Sequence, residues 1–255
     1  MKLTWFGTAA LLLESDGTAI AFDPFLGIAP GDGEGKPASA VRALGRVPDV
    51  FVTHGHFDHI LQIPTICPEA RIHATATPCE TLRRRGLKSL HEITAGQTVE
   101  IGPFMIRAHP GRHCRFDAAL IRKTAFSRRV WKNLRHMCRL LRWSRQYPEN
   151  GEILFYELCA EGKRVQILGS LGLDPATDYP AGADILILPY QGRSDLASYA
   201  LPIVRSLAPK RVLLDHYDDT FPPMTTRIDT AGFEALLDAA GIPCRALRAG
   251  ETITI

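Results

Sequence analysis

Residues 49–59 read Asp49-Val50-Phe51-Val52-Thr53-His54-Gly55-His56-Phe57-Asp58-His59. The opening run is almost continuously apolar, the pattern of a strand covered on both faces. It runs directly into three imidazoles and a carboxylate within the six residues 54–59. His54 and His56 stand two apart, so in extended chain they project to the same side. Asp58 and His59 follow as the chain turns, where they can face a second ion beside the first. Nitrogen and oxygen donors at this density suit zinc or a similar divalent cation.

On either side of this stretch, strands alternate with helices. Apolar runs at 3–6, 10–14 and 19–23, separated by Gly7-Thr8 and Asp16-Gly17, predict an antiparallel meander. A loop rich in Gly and Pro is expected over 27–37, then a short helix at 38–44. Further strands are expected at 71–74, 98–101, 104–108, 153–159, 165–168, 184–188, 211–215 and 252–255. Helices are expected at 78–85, 195–207 and 230–240, the last stopped by Gly241-Ile242-Pro243. Many strands with interspersed helices predict two sheets covered by outer helices, and the length suits one large domain or two small ones.

Composition narrows the function classes. A chain of 255 residues with 45% hydrophobic content needs neither a disulfide nor a metal merely to fold. Its six cysteines are scattered without a CxxC pair, which argues against a disulfide framework and against a thiolate zinc site. The first residues do not read as a secretory signal, and no run of about 18 apolar residues occurs. The expected setting is the cytoplasm.

Charge is unevenly spread. Residues 112–145 hold 11 of the 30 Lys and Arg against a single acid, Asp117, a net +10 that leaves −7 on the rest of the chain. No Gly or Pro occurs between Arg112 and Tyr147, so residues 114–150 are read as a basic helical insert. Phe126, Val130, Leu134, Met137 and Leu141 recur at helical spacing and are expected to pack on the body. Arg128, Lys132, Arg135, Arg139 and Arg142 fall opposite. The alternatives for the basic face are a solvated surface or a partner that is a phosphorylated substrate, an anionic lipid face or nucleic acid. Trp131 and Trp143 beside the stripe suit peripheral contact with a membrane.

The segment His54-x-His56-x-Asp58-His59 after an apolar strand resembles the signature of the metallo-β-lactamase-fold hydrolases. The resemblance covers most of the chain. The opening, MKLTWFGTAALLLES followed by AFDP, is similar to the branch with ascorbate-phosphate lactonase-like and phospholipase-D-type members. The resemblance implies a single α+β domain over residues 1–255, a four-layer αββα sandwich with one or two divalent ions at one edge, zinc in most members and manganese or iron in some. It implies His54 and His56 as ligands of a first ion and Asp58 and His59 as ligands of a second. His113, in Pro110-x-x-His113, is favoured over His109 as the third histidine of the first site. His216, after the strand at 211–215, would complete the second.

One position departs from the family pattern. Ser170, in Leu168-Gly169-Ser170-Leu171-Gly172, stands where a bridging aspartate is usual, and Asp174 follows four residues on. A neutral hydroxyl is a poor bridge between cations. The site is therefore read as holding one tight ion or as leaning on Asp174.

A divalent ion makes hydroxide available near neutral pH, which would attack a carbonyl or phosphoryl centre, with Asp58 orienting it. The leading expectation is a metal-dependent hydrolase of a phosphodiester, lactone or ester, on a small anionic or lipid-like substrate. Arg112, Arg115, Tyr190 and Arg193 are the candidate substrate contacts; a helix start capped by Ser194 is the competing reading for the last two. The alternatives are a metal-binding but inactive scaffold, prompted by Ser170, and a nucleic-acid-processing hydrolase, prompted by the basic insert and weakened by the acidic remainder.

Overall fold

The computed structural model describes residues 1–28, 37–219 and 221–255. Most of the expected Gly- and Pro-rich loop lies outside the described residues. The chain forms β1 Lys2–Trp5, β2 Leu11–Ser15, β3 Thr18–Phe22, α1 Ala38–Leu44, β4 Asp49–Phe51, α2 Phe57–Ile60, α3 Ile63–Ile66, β5 Arg71–Ala74, α4 Ala76–Arg84 and β6 Leu90–Glu92. Then come β7 Thr98–Ile101, β8 Phe104–Pro110, α5 Ala118–Ala125, α6 Arg128–Lys132, α7 Leu134–Gln146, β9 Leu154–Ala160, β10 Lys163–Leu168 and β11 Ile185–Pro189. The chain closes with α8 Leu196–Leu207, β12 Val212–Asp215, α9 Ala231–Ala239, β13 Cys244–Ala246 and β14 Glu251–Thr254.

Two seven-stranded sheets result, ordered β14-β1-β2-β3-β4-β5-β6 and β13-β12-β11-β10-β9-β8-β7. Each follows the same plan. An antiparallel half passes into a parallel half, at β3 in the first sheet and at β10 in the second. In the first sheet β3 and β4 therefore end at one edge, and in the second β8, β10 and β12 do. Loops leaving the carboxyl ends of parallel strands are where such sheets carry their sites.

The run at 49–52 shows how sequence becomes layer. Successive side chains of a strand point to opposite faces. Phe51 enters the core between the sheets, against Phe22 and Tyr156, while Val50 and Val52 join a second core with Leu44, Leu82 and Leu140. The Tyr156 hydroxyl donates to the Val52 carbonyl at 2.7 Å, tying the sheets together just before the histidine run. The expected α+β sandwich is the fold observed. The strands β6 and β13, three residues each, were not anticipated.

The segment between β8 and β9 corrects two expectations. It is three helices rather than one, with breaks at Phe126-Ser127 and at Asn133. The Asn133 side chain donates to the Arg129 carbonyl, a local bond that competes with helix continuation. Because the register restarts after each break, the apolar stripe does not pack on the body as a unit. Val130 is buried and Met137 half-buried, but Phe126, Leu134 and Leu141 face solvent, and Leu140 takes the inward place on α7. All six cysteines are free. Among the described residues no helix is long and apolar enough to cross a membrane.

Candidate metal centre

Histidines and a carboxylate that follow three strands, β4, β8 and β12, meet in two adjoining groups. The first is His54, His56 and His113, the second Asp58, His59 and His216, and within each group one ligand atom per residue lies within 4.8 Å of the others. His54 Nε2 faces His56 Nδ1 at 3.1 Å, and His59 Nε2 faces His216 Nε2 at 3.4 Å. The His54 and His59 ring centroids are 4.0 Å apart, so the groups share a border. Ring nitrogens that confront each other at such distances need a proton or a cation between them.

The other nitrogens of these rings are engaged by the protein. His59 Nδ1 lies 2.9 Å from Asp23 Oδ2. The Thr53 hydroxyl donates to that carboxylate at 2.6 Å and so can accept from His54 Nδ1 at 3.1 Å. His113 Nδ1 donates to the Cys114 carbonyl at 2.8 Å, and His216 Nδ1 sits 3.3 Å from Asp215 Oδ1. Carboxylates and carbonyls on the far nitrogen fix tautomer and ring direction, leaving Nε2 of His54, His59, His113 and His216 for a cation. With four imidazoles so aligned, and His56 and Asp58 completing the groups, the donor set fits divalent ions.

The electrostatics of the first group agree. Burial, reinforced by the surrounding imidazoles, drives His54 well below the usual histidine range and takes His56 down to about 4. These rings are neutral and ready to donate a lone pair. Burial opposes charge on His216 too, but Asp215 beside it, with Asp58 and Asp218 beyond, raises it to about 9. Desolvation opposes charge on Asp58, and His59 and His56 overcome it, holding the carboxyl below its ordinary value.

Local strain marks the same edge. Asp23, Thr8 and His216 adopt φ of +43°, +46° and +56°, conformations that cost a residue with a side chain about 1–3 kcal/mol each. Hydrogen bonds hold them: His216 N donates to Thr8 O at 3.0 Å, and Thr8 N donates to the Asp218 carboxylate at 3.1 Å. Gly55 is required by close approach, since a Cβ there would lie 2.4 Å from the Pro148 carbonyl.

The remaining expected residues divide. Ser170 reaches the border of the site, where its hydroxyl accepts from Cys114 N at 3.0 Å and anchors the loop bearing His113. Asp174 does not substitute for a bridge: its carboxylate accepts from Ala176 N and Thr177 Oγ1 in its own turn. His109 lies elsewhere, beside Phe155 and Tyr179. Tyr190 is also a correction, for it is buried and stacked on Phe233 with centroids 4.8 Å apart. Arg193 binds Asp195 and donates to the Arg115 carbonyl at 2.9 Å, so it braces the loop after His113. Ser194 does not cap α8; its amide and hydroxyl donate to Asp117. The side chains of Arg112 and Arg115 are exposed. Sequence reading missed Asp23 and Asp215, while Asp218, left open as a group near His216, holds Thr8 N. The available signal was a carboxylate closing an apolar strand, as Asp23 and Asp215 do.

Comparison with known proteins now fits this geometry. Residues 18–217 match the family model described as a beta-lactamase superfamily domain. The chain belongs to that superfamily. It is a metallo-β-lactamase-fold hydrolase. It is 26% identical over the full length of both chains to a UPF0173 metal-dependent hydrolase of Carboxydothermus hydrogenoformans. A UPF0173 protein of Pyrococcus furiosus is 28% identical, over 85% of this chain and 83% of the relative. Among solved structures, a metallo hydrolase of the archaeon Ignicoccus hospitalis shares the fold at a TM-score of 0.67 and 22% identity, over 99% of this chain and 97% of that one.

Proposed function

We propose that each of the two groups holds one divalent ion, zinc in the first instance, and that the pair serves hydrolysis of a phosphodiester, lactone or ester bond in a small anionic substrate. One observation carries this reading. Six donors converge in two triads while protein groups bond the far nitrogens of His54, His59 and His113 and the Asp215 carboxylate faces that of His216. His54, His56 and His113 would hold one ion, and Asp58, His59 and His216 the other. When bound, such ions supply Lewis acidity and make hydroxide available at neutral pH.

The chain's own residues do the rest. Asp58, kept ionised by its histidine neighbours, accepts a hydrogen bond from the attacking water and orients it. Asp23 and Thr53 hold His54 and His59 in direction, and Ser170 holds the loop of His113 in place. Arg112 and Arg115 stand on either side of His113 in the chain, exposed and without a carboxylate partner among the described residues. They are suited to the negative group of the substrate.

The test is a panel of a phosphodiester, an anionic lactone and a neutral carboxylic ester, assayed with chain reconstituted in zinc or manganese. Turnover that disappears in His54→Ala is expected. Replacing Arg112 and Arg115 with alanine should raise KM for the anionic substrates about tenfold, the equivalent of roughly 1.4 kcal/mol, and leave the neutral ester unchanged. Full metal occupancy with no turnover on any class would overturn the hydrolytic reading.

A further inference from the structure

Eight large apolar side chains are markedly exposed among the described residues, and six of them lie within residues 116–141: Phe116, Ile121, Phe126, Trp131, Leu134 and Leu141. Phe126 is 80% exposed and Trp131 65%. Residues 112–145, which enclose this stretch, carry the net +10 found in the sequence. Among the described residues only Arg129 of its eleven basic side chains pairs with a carboxylate, that of Asp219 at 2.5 Å. A surface that is at once this basic and this apolar is not explained by solvation.

Helix α7 shows the design most clearly. Leu140 is buried and Trp143 half-buried on its inner side, where Trp143 meets Phe57 with ring centroids 6.1 Å apart. On the outer side Leu134, Cys138, Leu141 and Arg145 follow one another at helical spacing, all exposed, flanked by Arg135 and Arg142. Helix α5 has no buried residue at all.

We infer that the outer surface of α5–α7 docks on an anionic membrane surface, with the exposed Phe, Trp and Leu side chains entering the interface and the Arg and Lys side chains meeting lipid phosphates. Interfacial helices combine these two residue classes in this way. The charge decides against a second copy of the chain, because a symmetric contact through this face would set +10 against +10. The aliphatic side chains Ile121, Leu134 and Leu141, spread over two helices, favour lipid over a nucleic acid, which takes such groups only as isolated wedges between base steps. The surface borders the metal centre: Phe116 lies 6.2 Å from the His113 ring, and Phe57 belongs to the helix that carries Asp58 and His59.

The experiment is vesicle flotation of the full chain, metal-free so that its outcome does not depend on hydrolysis. The vesicles are pure phosphatidylcholine or phosphatidylcholine with roughly a third phosphatidylglycerol. Expected is at least about tenfold tighter binding to the anionic vesicles, weakened by salt, with tryptophan emission shifting to the blue. Trp131→Ser with Leu141→Ser should lower that binding about tenfold with an unchanged thermal melt, and Arg135→Glu with Arg142→Glu should do the same. Equal binding to both vesicle types would overturn the inference. So would variants that bind like the parent, tighter capture of a short RNA than of vesicles, or a dimer that these substitutions dissolve.

Discussion

The edge of the sandwich that gathers the histidines and the helical segment beside it obey opposite rules. At the edge, polar side chains are buried and many are held by the chain: Asp23 by Thr53 and His59, the Asp218 carboxylate by Thr8 N, Ser170 by Cys114 N. In α5–α7, apolar side chains are exposed and held by little. The difference teaches where each region's partner is. Buried polar groups without partners cost roughly 1–3 kcal/mol, so the edge must be completed from within the chain, apart from the cations its imidazoles face. Exposed apolar groups carry no comparable penalty until something covers them, so the helices can wait for a partner from outside.

Substitutions can break this contrast, and the largest effect belongs to the edge. His54→Ala should lower turnover by about a thousandfold, the several kcal/mol that a Lewis acid contributes, in a steady-state assay of zinc-loaded chain. Asp23→Asn keeps the shape but removes the charge that aligns His59, and should weaken metal binding about 10–100-fold in a chelator competition titration. Leu140→Ala opens a cavity in the second core and should cost about 2–5 kcal/mol in a urea melt. Its neighbour in sequence, Leu141, lies on the outer face, and Leu141→Ala should stay within about 0.5 kcal/mol in the same melt. Equal costs at Leu140 and Leu141 would mean that the face assignment of α7 is wrong.

How far the sequence could be read follows the same division. The meander, the strand at 49–51 and the strand before His216 were legible because apolar runs bounded by turn residues have few other folds open to them. The cluster at His54, His56, Asp58 and His59 was legible because it lies within one short turn, whereas His113 and His216 came from the family resemblance, which implies a histidine after each of two later strands. Asp23 and Asp215 were missed because an aspartate ending a strand is also an ordinary turn former; its pairing with a particular histidine depends on contacts across the fold. Tyr190 failed for a related reason, since only the packing of α9 turns it onto Phe233. In the basic segment, the spacing of Phe126, Val130, Leu134, Met137 and Leu141 implied one continuous helix. Breaks at Ser127 and at Asn133, whose side chain bonds the Arg129 carbonyl, restart the register and turn Phe126, Leu134 and Leu141 outward.

Metal content per chain tests the central claim most directly. Protein purified without chelator, reconstituted in zinc and freed of excess ion, should carry two equivalents, falling to one in His113→Ala and to one in His216→Ala. A chain that takes up neither zinc nor manganese would contradict the two-triad reading and leave the converging histidines without a cation to hold.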